Sequence, residues 1–163
     1  MEIERKFLVH RLPDGIEEQR HAILKQAYLS FGEGDTPEVR VRSILEEGKI
    51  EYVITEKGDG TIVREECERR ITEDEYIQMR KKALTDDVEK ERFYIPISGS
   101  LIAELDIYAK GLSGLMTVEV EFDSVASALE FTLPDWFGEE ITENKEYKNK
   151  ALARNGLPSS FRS

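Results

Sequence analysis

Polar and apolar residues alternate with period two along most of this chain, the mark of strands with two chemically different faces. In residues 2–9, Glu2, Glu4 and Lys6 fall on one side and Ile3, Phe7 and Val9 on the other, with Arg5 among them. In 26–31, Gln26, Tyr28 and Ser30 oppose Ala27, Leu29 and Phe31, and in 39–44 Arg40 and Arg42 oppose Val39 and Val41. The run 50–57 sets Thr55 and Lys57 with Glu51 and Val53 against Ile50, Tyr52 and Ile54. In 62–71, Arg64, Glu66, Glu68 and Arg70 oppose Val63, Cys67 and Ile71. Three later runs repeat the pattern: Lys90, Arg92 and Tyr94 in 90–95, Glu104 and Asp106 in 102–108, and Glu119 and Glu121 in 117–122. About eight such strands predict an all-β sandwich or barrel.

Helical signals are fewer. Thr72-Glu73-Asp74-Glu75 has the capping-box spacing and predicts a helix running to about Leu84. Short helices are expected around Ile16–Ala22 and from Ser124 to a stop at Pro134, and a last one over Lys145–Asn155, ended by Gly156 and Pro158. Gly58-Asp59-Gly60 between two alternating runs reads as a hairpin turn. No Pro/Ser-rich linker or repeat interrupts the 163 residues, so a single domain over 1–157 with a short tail, 158–163, is expected.

Charge narrows the function. The chain has 23 Lys and Arg against 34 Asp and Glu, a net charge of -11, which argues against duplex nucleic acid as a partner. A single cysteine, Cys67, excludes an internal disulfide and a multi-cysteine zinc site. The charged start Met1-Glu2-Ile3-Glu4-Arg5-Lys6 and the lack of a long apolar run lead us to expect a cytoplasmic protein without a signal peptide or membrane span. The histidines, His10 and His21, are expected at the surface outside the strands, Cys67 in the core, and Trp136 as a packing anchor.

The polar face is sorted by sign. Acids pair at i, i+2 in Glu2/Glu4, Glu66/Glu68, Glu104/Asp106 and Glu119/Glu121, and bases do so in Arg40/Arg42 and Lys90/Arg92. Such neighbours lie about 6.5–7 Å apart on one strand face. Paired carboxylates repel unless a cation sits between them, and adjacent guanidinium groups match phosphate oxygens. If this face lines a cavity, its natural occupant is a polyphosphate chelated to a hard cation such as Mg2+ or Mn2+. A simply solvated polar sheet face is the competing explanation.

The order of these motifs resembles the CYTH superfamily, the triphosphate tunnel metalloenzymes. Glu2-Ile3-Glu4-Arg5-Lys6 resembles its Glu-x-Glu-x-Lys signature. Gln26-Ala27-Tyr28, Arg40-Val41-Arg42, Thr55-Glu56-Lys57, Arg64-Glu65-Glu66-Cys67-Glu68, Lys90-Glu91-Arg92, Glu104-Leu105-Asp106 and Glu119-Val120-Glu121 resemble the strands that follow, and Thr142 to Asn149 its C-terminal Thr-x-x-x-x-Tyr-x-Asn segment. The resemblance implies a mainly β (α+β) fold, an eight-stranded antiparallel closed β-barrel tunnel with helices outside. It implies metal-dependent hydrolysis of inorganic triphosphate or a related small triphosphate. By carry-over, Glu2, Glu4, Glu119 and Glu121 are the leading metal ligands, with Glu66, Glu68 and Asp106 as further ligands or partners of the bases. Lys6, Arg40, Arg42, Lys57, Arg64, Lys90 and Arg92 would hold phosphates. Glu2, Glu4, Lys6 and Tyr28 are the catalytic candidates. Lys145 is the candidate at the tunnel mouth, because Glu146 occupies the position before Tyr147 where relatives often carry a base. The alternatives on this fold are a class IV adenylate cyclase acting on ATP and a thiamine triphosphatase; outside enzymes, a polyphosphate-binding module. A homodimer is compatible with the apolar outer surface.

Overall fold

A computed structural model describes residues 3–58 and 66–161. Among these residues nine strands form one antiparallel sheet: β1 (Ile3–Val9), β2 (Arg20–Phe31), β3 (Glu38–Glu46), β4 (Lys49–Lys57), β5 (Glu66–Ile71), β6 (Val88–Pro96), β7 (Ile102–Tyr108), β8 (Met116–Phe122) and β9 (Phe137–Glu140). Their order across the sheet is β5-β4-β3-β2-β6-β7-β8-β1-β9. Three α-helices, α1 (Glu73–Arg80), α2 (Val125–Glu130) and α3 (Asn149–Asn155), accompany them.

The alternation decides which face is which. The apolar face of β1, β6, β7 and β8 buries Phe7, Phe93, Leu105, Val118 and Val120 together with Ala128 of α2 and Trp136. On the β3–β4 side, Val41, Ile54 and Ile71 pack with Tyr52, Tyr76 and Met79, so α1 covers that wall from outside. A third cluster, with Leu8, Val88, Tyr108, Ile141, Tyr147 and Leu152, seats the C-terminal segment against one end of the sheet. The helices therefore cover apolar faces, and the charged faces are left turned toward each other inside the curl of the sheet.

Local signals set several boundaries. Thr72 accepts from the Glu75 backbone N–H while the Glu75 carboxylate accepts from the Thr72 N–H, the reciprocal cap that opens α1. Ser124 and Ser127 make the equivalent pair at α2. Gly138 lies where β9 runs beside β1: a Cβ there would stand 2.7 Å from the Leu8 carbonyl oxygen, so only glycine allows this approach.

Five expectations need correction. The sheet is not closed by hydrogen bonds among the described residues; β5 and β9 are its two edges, so the architecture is a strongly curled mainly β sheet rather than a demonstrated closed barrel. The helix expected at Ile16–Ala22 is only a 3-10 turn over Ile16–Glu18. Strand β2 begins at Arg20, which places His21 within a strand, although its side chain is exposed and paired with Glu91. Cys67 is exposed, because β5 is an edge strand whose residues before Ile71 are all exposed. The last helix divides into a 3-10 turn, Lys145–Tyr147, and α3, with Lys148 extended between them. The turn at Asp59 and Gly60 and the residues Glu2 and Arg64 lie outside the described residues.

Candidate active site

The charged faces enclose a cavity of about 530 Å³. It is lined by Glu4, Lys6, Tyr28, Arg40, Arg42, Lys57, Glu66, Glu68, Arg92, Glu119 and Glu121 from the sequence-derived set. Residues from the β5 edge and from β1 and β8 near the other end of the sheet therefore meet on one space. Glu38, Glu104, Ile141, Thr142, Glu143, Asn144, Tyr147, Lys148, Asn149 and Lys150 complete the lining. Carboxylates and cations occur there in nearly equal number, so the site is charged without carrying a large excess of either sign.

Strand register explains the layout. On one wall, Glu4 stands opposite Glu121 and Lys6 opposite Glu119, with Glu104 on the other side of Glu119. On the facing wall, Tyr28 pairs with Arg40 and Gln26 with Arg42, Arg40 with Thr55, and Thr55 with Glu68. Acids thus concentrate on β1 and β8, and bases on β3.

Two arginines on the basic wall are held differently. The Gln26 carboxamide oxygen accepts from Arg42 Nε at 2.8 Å and Nη2 at 2.5 Å. Burial, then repulsion from Arg40 and Arg92, brings the Arg42 guanidinium down to about 9. Arg40 reaches Thr55 Oγ1 at 3.3 Å through Nη2, but its Nε is buried with no hydrogen-bond partner among the described residues. Buried donors are rarely left unpaired, and each costs about 1–3 kcal/mol when they are. Tyr28, fully buried beside Arg40, has its phenol pushed up by burial.

Beneath the cavity lies a buried ion network. Asp106 accepts from Arg92 through Nε–Oδ1 at 2.8 Å and Nη2–Oδ2 at 3.0 Å, and from Lys90 Nζ at 2.8 Å. Lys90 is 0% exposed and Asp106 1%, and neither lines the cavity. Burial alone would raise the Asp106 carboxyl, but Arg92 and Lys90 outweigh it and hold the group well below the usual carboxylate range. Burial brings Lys90 down to about 7 against the pull of Asp106. Burial would lower Arg92 as well, yet Asp106 and Glu104 hold it well above its usual value. Asp106 is therefore engaged as a partner of the bases.

Lys6 is tied to the C-terminal segment. Its Nζ donates to the Tyr147 carbonyl at 2.6 Å and lies 3.4 Å from Glu119. Lys6 keeps the Glu119 carboxyl ionised to lower pH although burial pushes the other way. Thr142 Oγ1 accepts from the Lys6 backbone N–H at 3.0 Å, which registers the segment against β1. Lys145 is not among the lining residues; Lys148 and Lys150 are, and Lys150 approaches Glu38 at 3.5 Å. The resemblance points to Lys145 because Glu146 stands where relatives often carry a base, but the 3-10 turn sends the following lysines to the cavity instead.

The donor set facing Glu4 and Glu121 is carboxylate oxygen, the chemistry of Mg2+ or Mn2+. Like charges directly across a strand pair are destabilising, and a cation between them removes that cost. No group of three His, Cys, Asp or Glu side chains forms a complete metal cage among the described residues. A Mg2+ site does not require one, since that ion is commonly held by one or two carboxylates together with substrate phosphates. The residues present therefore fit such an ion.

No family model matches the chain. An inorganic triphosphatase of Nitrosomonas europaea is 42% identical over 153 residues, which cover 93% of this chain and 96% of that protein. A solved structure of the inorganic triphosphatase NE1496 superposes with a TM-score of 0.74 at 40% identity, with 97% of each chain covered. The Hippeastrum protein HpAC1, studied as an adenylyl cyclase and found to have a dominant triphosphatase activity, shares the fold at 16% identity, with a TM-score of 0.69 and 97% of each chain covered. An antiparallel sheet with a charged inner face is what the resemblance to the CYTH class, the triphosphate tunnel enzymes, implied. Within that class the chain belongs to the inorganic triphosphatase family of hydrolases.

Proposed function

We propose that this protein hydrolyses inorganic triphosphate with a divalent cation, Mg2+ or Mn2+, in the charged cavity. The observation that carries the reading is the basic wall. Arg40 holds a buried guanidinium N–H without a partner among the described residues, beside an Arg42 whose charged form is disfavoured by burial and by its neighbours. Phosphate oxygens satisfy that donor and offset that repulsion together.

Glu4, Glu119 and Glu121, with Glu2, are the groups that would hold the cation. Bound there, it neutralises phosphate charge and activates water for attack. The protein's own residues do the positioning. Arg40, Arg42, Lys57 and Arg92 hold the triphosphate along the facing wall, with Arg64 as a further candidate. Lys6 leaves the Tyr147 carbonyl for a phosphate oxygen, and Tyr28 orients the chain through its hydroxyl. In-line transfer to water asks mainly for this neutralisation and alignment. Glu66 and Glu68 on β5 line the opposite side and serve water or a second cation. Lys90 and Asp106 support Arg92 from below.

The test is phosphate release from inorganic triphosphate, ATP and pyrophosphate, each with Mg2+, Mn2+ or chelator, beside Glu4→Gln. Metal-dependent release from triphosphate that is lost in the variant supports the proposal. Cyclic AMP from ATP without phosphate release moves the assignment to a nucleotide cyclase, and binding without turnover to a polyphosphate-binding module. The same reading sets the enzyme in the cytoplasm, and no helix among the described residues is long and apolar enough to cross a membrane. It is compatible with a homodimer through apolar surface such as exposed Val125 and Leu129, which a mass measurement in solution decides.

A further inference from the structure

Asn149, the first residue of α3, lines the cavity but belongs to neither the acidic nor the basic wall. Its Oδ1 receives two hydrogen bonds from below, from Lys90 Nζ at 3.3 Å and from the Tyr108 hydroxyl at 3.3 Å. Both donors come from groups that are almost wholly enclosed. The orientation of the carboxamide is fixed by chemistry rather than by choice. An ammonium has donors and no acceptor, so the amide atom that meets Lys90 has to be the oxygen. The amide nitrogen is then turned to the other end of the side chain, and its two N–H groups have no hydrogen-bond partner among the described residues. Lys148 and Lys150, on either side of Asn149 in the chain, line the same cavity.

The geometry points to Asn149 as a substrate-binding residue: its amide N–H groups donate to oxygens of the triphosphate, and Lys90 and Tyr108 are positioning residues that hold the carboxamide in that orientation. This rests on the triphosphatase reading and changes the part played by Lys90. Lys90 does not touch the cavity, so its ammonium acts on phosphate through Asn149 and through Asp106 rather than by contact. A neutral donor at this place adds affinity for phosphate without adding positive charge to a site already dense in cations. A side chain serving only to fasten α3 would need the two bonds to Oδ1 and would gain nothing from an amide nitrogen on a residue that lines the cavity.

The experiment uses the full chain with Mg2+ and compares Asn149→Asp, Asn149→Ala, Tyr108→Phe and the double variant Tyr108→Phe with Asn149→Ala. Phosphate release gives KM and kcat, and calorimetric titration with tripolyphosphate in chelator gives affinity without turnover. Asn149→Asp keeps the oxygen that Lys90 and Tyr108 bind and exchanges the donor for a carboxylate. It raises KM and the dissociation constant by about tenfold or more, the size of one hydrogen bond to a charged group, with a much smaller change in kcat. Tyr108→Phe raises KM several-fold in the wild-type background and leaves the Asn149→Ala protein unchanged, because its effect passes through the amide. Asn149→Asp binding triphosphate as tightly as the wild type overturns the inference. So does a Tyr108→Phe effect of equal size in both backgrounds, which would mark Tyr108 as a structural residue alone. If the wild type releases no phosphate from triphosphate, it is the triphosphatase reading that fails, and the titrations still decide the role of Asn149.

Discussion

Replacing Asp106 by Asn removes one negative charge from the floor of the cavity with little change of shape. In the native protein that carboxylate is 1% exposed and balances two cations, Arg92 through two hydrogen bonds and Lys90 at 2.8 Å. The variant leaves both cations facing an amide that can accept from them but cannot offset their charge. Removing one partner of a buried ion pair typically costs about 3–5 kcal/mol. For a chain of this length, about 2–4 °C is lost per kcal/mol, so the melting temperature is expected to fall by roughly 10–15 °C. The assay is thermal and urea unfolding followed by circular dichroism, at neutral pH and near pH 9. Lys90, already brought down to about 7 by burial, loses the attraction that holds its proton and is neutral in the variant at neutral pH as well as near pH 9. The unpaired charge that remains is Arg92 at both values, so the penalty changes little between them. A loss below about 1 kcal/mol at neutral pH would refute the argument, since an exposed ion pair contributes no more than that. A penalty that grows between pH 7 and 9 would refute it as well.

Three further outcomes follow from the same physics. Because the folded state lowers Lys90 from 10.5 to about 7, the unfolded chain binds more protons between those values, and this group's contribution makes stability rise with pH across that window. Unfolding titrations at successive pH values, compared with Lys90→Met, isolate it. Arg40→Met removes a buried unpartnered donor and a charge that repels Arg42, so the apo protein becomes more stable by about 1 kcal/mol while KM for triphosphate rises at least about tenfold. A lower melting temperature would show that Arg40 is satisfied in the free protein. Thr72→Ala breaks the cap of α1 and costs about 1 kcal/mol, with kcat and KM unchanged because α1 covers the outer face.

The sequence carried the faces of the strands better than their depth. The alternation in 102–108 gave β7 with its observed ends, because Ala103, Leu105 and Ile107 lie on one face and Glu104 and Asp106 on the other. In β2 the same rule failed at the start. Its inner face reads Ala22, Leu24, Gln26 and Tyr28, apolar at one end and polar at the other, so the strand looked as if it began at Gln26. Strand β9, Phe137–Glu140, has only four residues and no alternation to notice. Cys67 does alternate with charged neighbours, yet an edge strand leaves both its faces exposed. Within the site, spacing at i, i+2 put Lys90 with Arg92 and Glu104 with Asp106 on the inward face, but it could not distinguish Lys90 and Asp106, sealed below, from Arg92 and Glu104, which line the cavity. Asn149 is visible in the sequence only as the end of the Thr-x-x-x-x-Tyr-x-Asn segment, without a role, and Lys148 and Lys150 not at all, because a 3-10 turn followed by an extended residue has no fixed period to extrapolate.

The near balance of charge inside the cavity leaves most of the chain's net charge of -11 on its outer surface. A triphosphate anion far from the protein is therefore repelled by the same molecule that binds it. Ions at physiological strength screen that repulsion beyond about 8 Å, whereas contacts within an enclosed site are screened far less. Entry then quickens as salt is added, the reverse of the usual steering of an anion by a basic surface. Chelation by a divalent cation before entry reduces the charge that has to cross this field. In the proposed metal-dependent reaction the outer surface would thus act as an electrostatic filter that favours the metal-bound form of the substrate over the bare polyanion.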